Sequence, residues 1–198
     1  MQYGLPHRGK TYLIVRQQGH TLAELMVVLG VVGIMMGTAM PSMLELLERS
    51  RAAATINALM GAIQFTRHSA VTFGSPATLC PSSDGAACGR NWQQGAIVFV
   101  DFGKPGRVDS SDRVLRRFGP FPKGAEIRWR SFGNRRYLQF TPRGFTRHQP
   151  GHFQYCAPGA DPRLARQIIV NWRGRARMAP DRNGDGIRED ARGRPLRC

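Results

Sequence analysis

The sequence predicts an α+β protein in which one long amino-terminal helix, its first half suited to a membrane, is followed by antiparallel β-sheet. Three observations carry that prediction. Twenty consecutive residues from Leu25 to Leu44 carry no charge, apolar residues return at helical spacing beyond Pro41, and after Gly74 the chain breaks into short β-like runs divided by Gly, Pro, Asn and Asp.

The first element is the uncharged run. As a helix rising about 1.5 Å per residue, it would span roughly 30 Å, the thickness of a bilayer hydrocarbon core. Arg8, Lys10 and Arg16 precede it with no acid among them, and such a bias holds the amino terminus in the cytoplasm and sends the remainder outward. Glu24 stands at the threshold of the run. A carboxylate at a membrane edge calls for a named partner, and cleavage between Gly19 and His20 would supply one as a new α-amine, on the same chain or on a neighbour. An ordinary signal anchor with a snorkelling glutamate is the other reading.

Beyond Pro41, Ile56, Leu59, Met60, Ile63 and Ala70 recur on one helical face while Arg49, Arg51, Gln64 and Arg67 fall on others. The helix should therefore continue and stop near Phe73-Gly74-Ser75-Pro76. Strand-like runs follow at Ala77–Cys80, Gly95–Val100, Val114–Phe118, Ala125–Arg130, Tyr137–Thr141, His152–Cys156 and Gln167–Trp172. With 198 residues, there is room for the anchor and one head of about 120 residues with its own core.

All four cysteines, Cys80, Cys88, Cys156 and Cys198, lie beyond the anchor, in what the charge bias makes an oxidising compartment. Of the three connectivities open to them, Cys80–Cys88 with Cys156–Cys198 is preferred, closing one short turn and tying the last residue back to a strand. Zinc is the alternative use of four cysteines, but there is no C-x-x-C pair and no histidine at ligand spacing.

Net charge is +16, and only Lys10, Lys104 and Lys123 among the 29 basic residues are lysines. Between Ile127 and Ala160 six arginines (Arg128, Arg130, Arg135, Arg136, Arg143 and Arg147) meet no acid, and from Arg163 to Arg197 ten arginines meet four acids. So concentrated a positive field favours polyanions, whether nucleic acid, anionic lipid or acidic polysaccharide.

The amino-terminal stretch resembles the class III signal of type IV prepilins, in Gly19, Thr21, Leu22, Glu24, Leu25, the apolar run and Pro41. His20 stands where that family usually has Phe, and Ala23 where a larger apolar residue is common. The head runs "LCPSSDGAAC", "GAIVFVD", "LQFTPRGF", "FQYC" and "RQIIVNWRGRARM" resemble the minor pilins and pseudopilins grouped as the GspH/FimT family. The resemblance implies a type IV pilin-like fold. Residues 1–19 would be a leader removed by prepilin peptidase, 20–48 the membrane-spanning, filament-core half of the helix, and 49–198 a periplasmic head. The protein would sit in the inner membrane by a single span and pass into a pilus at the cell surface, with other minor and major pilins as partners.

Two functions compete within that family. The FimT-like branch is implicated in binding DNA for uptake in natural transformation, with a G-R-x-R motif that here reads Gly174-Arg175-Ala176-Arg177. Arg173 precedes the motif, and in a strand past the Gly174 turn Arg175 and Arg177 would share a face and grip successive phosphates of double-stranded DNA, with help from Arg143. The other branch is a structural minor pseudopilin of type II secretion that binds no DNA. Trp129 and Trp172 are read as strand-packing residues, with base stacking the other reading.

Asp181, Asn183, Asp185 and Gly186 match the first half of a calcium loop, but the acid that should close it falls at Arg192. An Asx-rich turn is the competing interpretation. No phosphate-binding, zinc-protease or serine-hydrolase motif is present, so the chain is read as no enzyme and as needing no cofactor.

Overall fold

The computed structural model describes Gly19 and residues 21–198. The expected leader, save Gly19, and the expected new amino terminus at His20 lie outside the described residues. The chain divides into two compact units, with the boundary between Met43 and Leu44.

Helix α1 spans Leu22–Thr72. It begins at Thr21, whose hydroxyl accepts a hydrogen bond from the Glu24 amide at 3.3 Å. Thr21 and Glu24 therefore have the spacing of a capping box, and a carboxylate in the first turn suits the positive end of the helix dipole. In the first unit Leu25, Met26, Ile34 and Met36 are exposed. The helix is long and apolar enough to cross a membrane.

In the second unit the helix changes character. Ala52, Ile56, Leu59, Ile63 and Ala70 are buried in the main core, at the three- and four-residue spacing that keeps side chains on one face. Against that face lie eight strands: β1 (Ala77–Pro81), β2 (Ala96–Val100), β3 (Arg113–Phe118), β4 (Glu126–Ser131), β5 (Leu138–Phe140), β6 (Gly151–Cys156), β7 (Arg166–Val170) and β8 (Ala176–Met178). They form two antiparallel sheets, ordered β3-β2-β1-β5 and β4-β6-β7-β8.

The first sheet is covered on both faces. Leu79, Val98 and Leu138 join the main core with α1, while Cys80, Ile97 and Phe99 form a second cluster with Val114 and Tyr137. That is why β1 and β2 are buried at every position and read as continuous apolar runs. The second sheet alternates. Phe153, Tyr155, Ile168 and Val170 point into the core, and the register sets Arg130, His152, Ile169 and Arg177 in one row on the opposite face.

Disulfides join Cys80 to Cys88 and Cys156 to Cys198. The second bond anchors the end of the chain to β6, and Leu196 is buried against Ala165 and Ala179. The expected strand Gln167–Trp172 is shorter in the structure: β7 ends at Val170 because Asn171 to Gly174 form a turn, and the strand expected past Gly174 is β8, which begins at Ala176.

Candidate nucleic-acid interface

Two turns of similar construction meet where the sheets adjoin. In the first, after β5, the Gly144 amide donates to the Thr141 carbonyl at 2.8 Å and the Thr141 amide to the Phe145 carbonyl at 2.9 Å. In the second, between β7 and β8, the Gly174 amide donates to the Asn171 carbonyl at 2.9 Å and the Asn171 amide to the Arg175 carbonyl at 3.1 Å. Each turn places an arginine third, Arg143 or Arg173, and a glycine fourth with φ of 74° or 76°. This is the hairpin geometry in which a left-handed residue closes a three-residue loop.

The turns are docked on one another. A Cβ added to Gly174 would lie 2.1 Å from the Gly144 carbonyl oxygen, so Gly174 is required both by its φ and by the close approach of backbone. The same Gly144 carbonyl accepts from Arg67 Nε of α1 at 3.0 Å. The Trp172 carbonyl accepts from the Thr146 amide at 3.0 Å and the Thr146 hydroxyl at 3.1 Å. Asn171 Oδ1 takes the Arg175 amide at 2.9 Å. The glycine of the G-R-x-R motif thus shapes the backbone, and the arginines are left to face outward.

Arg143, Arg173, Arg175 and Arg177 are all exposed. Among the described residues none of them makes an ion pair. Arg177 is opposite Ile169 on β8, and Arg175, two positions earlier, shares its face. Two positions along a strand are about 6.8 Å apart, so the pair can engage separate anionic groups. Arg143 reaches the same end of the molecule through the docked turn. Such a cluster of planar donors without carboxylate competitors suits bidentate contact with phosphate.

The aromatic residues divide. Trp129 packs as expected, stacked on Phe153 at 4.3 Å with its indole N–H donating to the Tyr137 carbonyl at 3.2 Å. Trp172 departs from the packing expectation, being 58% exposed. It lies at the tip of a turn instead of within a strand, stacked on Phe145 at 5.8 Å with the planes 11° apart. The Arg173 guanidinium sits over its ring at 5.1 Å, an exposed cation–π contact worth about 0.5–1 kcal/mol. Phe145 escaped the sequence reading; the signal that could have found it is the repeated Arg-Gly in "TPRGF" and "NWRGR".

The acidic loop from Asp181 spends its oxygens on itself. Asp181 accepts the amides of Gly184 and Gly186 at 2.8 and 2.9 Å, Asp185 accepts the Ile187 amide at 2.7 Å, and the Asn183 side-chain amide donates to Asp185 at 2.9 Å. Among the described residues no cluster with metal-ligand geometry occurs. Beyond this loop, the Arg194 amide and side chain help hold the Asp190 pKa down at about 2, the Arg194 backbone hydrogen bond contributing most. A cleft beside it is lined by Arg130, His152, Gln154, Asp190, Arg194 and Arg197. Burial there, and then the charge of Arg130, lower the His152 pKa from its usual value.

A half-exposed amino-terminal helix whose later turns are buried under two small antiparallel sheets defines a pilin-type subunit. The model for the type II transport protein GspH matches residues 55–174, and that for the prokaryotic amino-terminal methylation motif matches residues 14–40. The chain belongs to the GspH family of minor pilins and pseudopilins, which are structural subunits. Among solved structures, it is similar to the type IV minor pilin FimU of Pseudomonas aeruginosa, at 20% identity and a TM-score of 0.52, over 69% of this chain and 91% of that one. It is also similar to the minor pseudopilin EpsH of the Vibrio cholerae type 2 secretion system, at 12% identity and a TM-score of 0.44, over 63% and 94%. No curated protein matches it in sequence.

Proposed function

We propose that this chain is a FimT-like minor type IV pilin that holds double-stranded DNA through arginine–phosphate contacts, for uptake in natural transformation. The observation that carries the proposal is the pair of docked turns, which brings Arg143, Arg173, Arg175 and Arg177 to one end of the head, where among the described residues none of them makes an ion pair. A filament that must catch any duplex should read phosphates and not bases, and this array supplies the charge for that and no rigid base-reading element. The reading includes the rest of the life cycle. Prepilin peptidase cuts after Gly19, the apolar half of α1 anchors the subunit in the inner membrane with its head in the periplasm, and the same helix then packs against other pilins in the filament.

Electrophoretic mobility shift and salt titration test the claim. Phosphate-dominated binding makes log affinity fall linearly with log salt by about 0.9 per contact. Replacing Arg175 and Arg177 together with Gln should weaken duplex binding about tenfold or more and flatten the slope by about two. Replacing Arg49 and Arg51, which are paired to Glu45 and Glu48 on α1, should change it little. Equal losses would mean a diffuse positive surface, and a structural pseudopilin of type II secretion would become the better reading. Processing has its own test. Mass spectrometry of the mature chain should find His20 at the amino terminus, and Gly19→Val should leave the precursor uncut.

A further inference from the structure

We infer that Trp172 and Phe145 form a stacking platform for an unpaired nucleobase, so that the same tip binds single-stranded DNA, or a frayed duplex end, more tightly than closed duplex. The inference rests on the DNA-binding reading above but adds a different contact.

This end of the molecule exposes a tryptophan, a side chain that the head elsewhere packs. Trp92 and Trp129 are packed against Phe153 in the core, whereas Trp172 and Phe145 are 58% and 38% exposed. Their rings form a nearly parallel, offset pair, an arrangement favoured between aromatic faces. The backbone holds that pair in place through the two hydrogen bonds from Thr146 to the Trp172 carbonyl. The two rings border a shallow depression with Pro142, Arg143, Arg147 and His148. A fixed apolar surface ringed by cations fits a ligand with a flat π-face and adjacent negative charge. A nucleotide is that ligand.

Arg173 strengthens the match. Its guanidinium occupies the space over the Trp172 ring, and a base can take that place because stacking on an exposed aromatic is worth more than an exposed cation–π contact. The displaced guanidinium is then free to meet a phosphate of the same strand. In closed duplex the base faces are already stacked on one another, so the platform gains nothing there. Discrimination between strand and duplex follows from this, with little discrimination among base sequences, since every base has a π-face.

The experiment uses the full chain in detergent micelles with four fluorescently labelled probes: an oligothymidine, a duplex of equal length, a fully abasic strand of equal charge, and a neutral hexasaccharide. Anisotropy should show the oligothymidine bound at least about fivefold more tightly than the abasic strand and more tightly than the duplex at the same salt. An unlabelled oligothymidine should quench tryptophan emission. Trp172→Ala should abolish the preference and the quenching while leaving duplex affinity within about twofold, and Trp172→Phe should retain most of the preference. Near-UV circular dichroism checks that the head is intact, and Phe145→Leu gives an independent, smaller loss.

Equal affinity for oligothymidine and abasic strand would overturn the platform, and so would equal losses for strand and duplex in Trp172→Ala. Salt-independent quenching by the hexasaccharide would overturn the nucleotide as its ligand. Duplex binding that depends on Arg175 and Arg177 but shows no strand preference sinks the platform and leaves the phosphate reading standing. Preference for the strand with negligible duplex binding does the reverse, and failure of every DNA probe to bind overturns both.

Discussion

At the tip of β7–β8, Arg173, Arg175 and Arg177 face solvent and, among the described residues, make no ion pair, whereas seventeen residues beyond Arg177, Arg194 pairs with Asp190 at 2.8 Å. The segment from Asp181 to Arg197 also holds five arginines, yet Arg188 and Arg194 spend their guanidinium groups on the protein itself, and backbone amides tie the rest of the segment to its own acids. The Arg182 amide donates to Glu189 at 2.9 Å, the Arg188 guanidinium to the Ala179 carbonyl at 2.9 Å, and the amides of Arg192 and Arg194 to Asp190. Clustered arginines therefore carry different meanings. Where acids and carbonyls absorb the donors the residue is architectural, and where a glycine turn carries it outward the residue is available to a ligand.

The largest expected effect tests whether the two regions are separable. In the chain-entropy model, a cross-link between cysteines 42 residues apart is worth about 4 kcal/mol, so Cys156→Ser with Cys198→Ser should lower the unfolding midpoint in denaturant markedly. If the comparison is right, the surviving folded fraction should bind duplex within about twofold of the parent. Loss of binding in proportion would show the tail to be part of the site.

Next in size is the turn. Gly174→Ala forces a side chain into the left-handed region, at about 1–3 kcal/mol, and against the Gly144 carbonyl. Thermal unfolding should report that loss, and binding should fall even though no charge has been removed. Unchanged binding would separate the arginines from the geometry credited with presenting them.

A third measurement replaces Arg188 and Arg194, whose guanidinium groups are engaged by the Ala179 carbonyl and by Asp190, with Gln. It removes two charges, as Arg175→Gln with Arg177→Gln does, but from the self-absorbed segment, and should change duplex affinity by less than about threefold. A drop as large as that at the tip would erase the distinction.

The smallest effect is a dependence on pH in the cleft between β6 and the tail. Burial and Arg130 lower the His152 pKa, and Asp190 opposes them. The unfolded chain takes up this proton near pH 6.5 and the folded chain only at lower pH. The unfolded state therefore binds more protons in that window, and stability is full above about pH 6.5 and declines below it. His152→Gln should flatten that part of a plot of melting temperature against pH, without changing DNA binding at pH 7.5.

Much of the fold was legible in the residues because its signals are local. The uncharged run ahead of Leu44, the helical spacing of Ile56, Leu59 and Ile63, and the Gly74 stop all come from neighbours in the chain. The strand runs are legible for the same reason, while β8 is legible only as a strand past the Gly174 turn with no bounds of its own, since Ala-Arg-Met carries no β-pattern and pairs because the Asn171 turn returns it to β7. Of the candidate interface, Gly174, Arg175 and Arg177 stand out in the sequence as a motif. Trp172 was misread because a tryptophan ending an apolar run is more often packed than exposed.

The sequence by itself determined the long helix with its apolar first half, the sheet-forming head, the excess of arginine and the motif that concentrates it, because periodicity, charge and turn residues act within a few positions. Tertiary structure alone decided which arginines are available. Gly144 and Gly174 are thirty residues apart and meet only when both sheets are folded onto α1. That contact brings Arg143 to the motif and sets Phe145 against Trp172, while the fold of the tail brings Arg188 to the Ala179 carbonyl. Whether a charge is spent internally or offered to a partner depends on what stands within a few ångströms of it, and that is a property of packing.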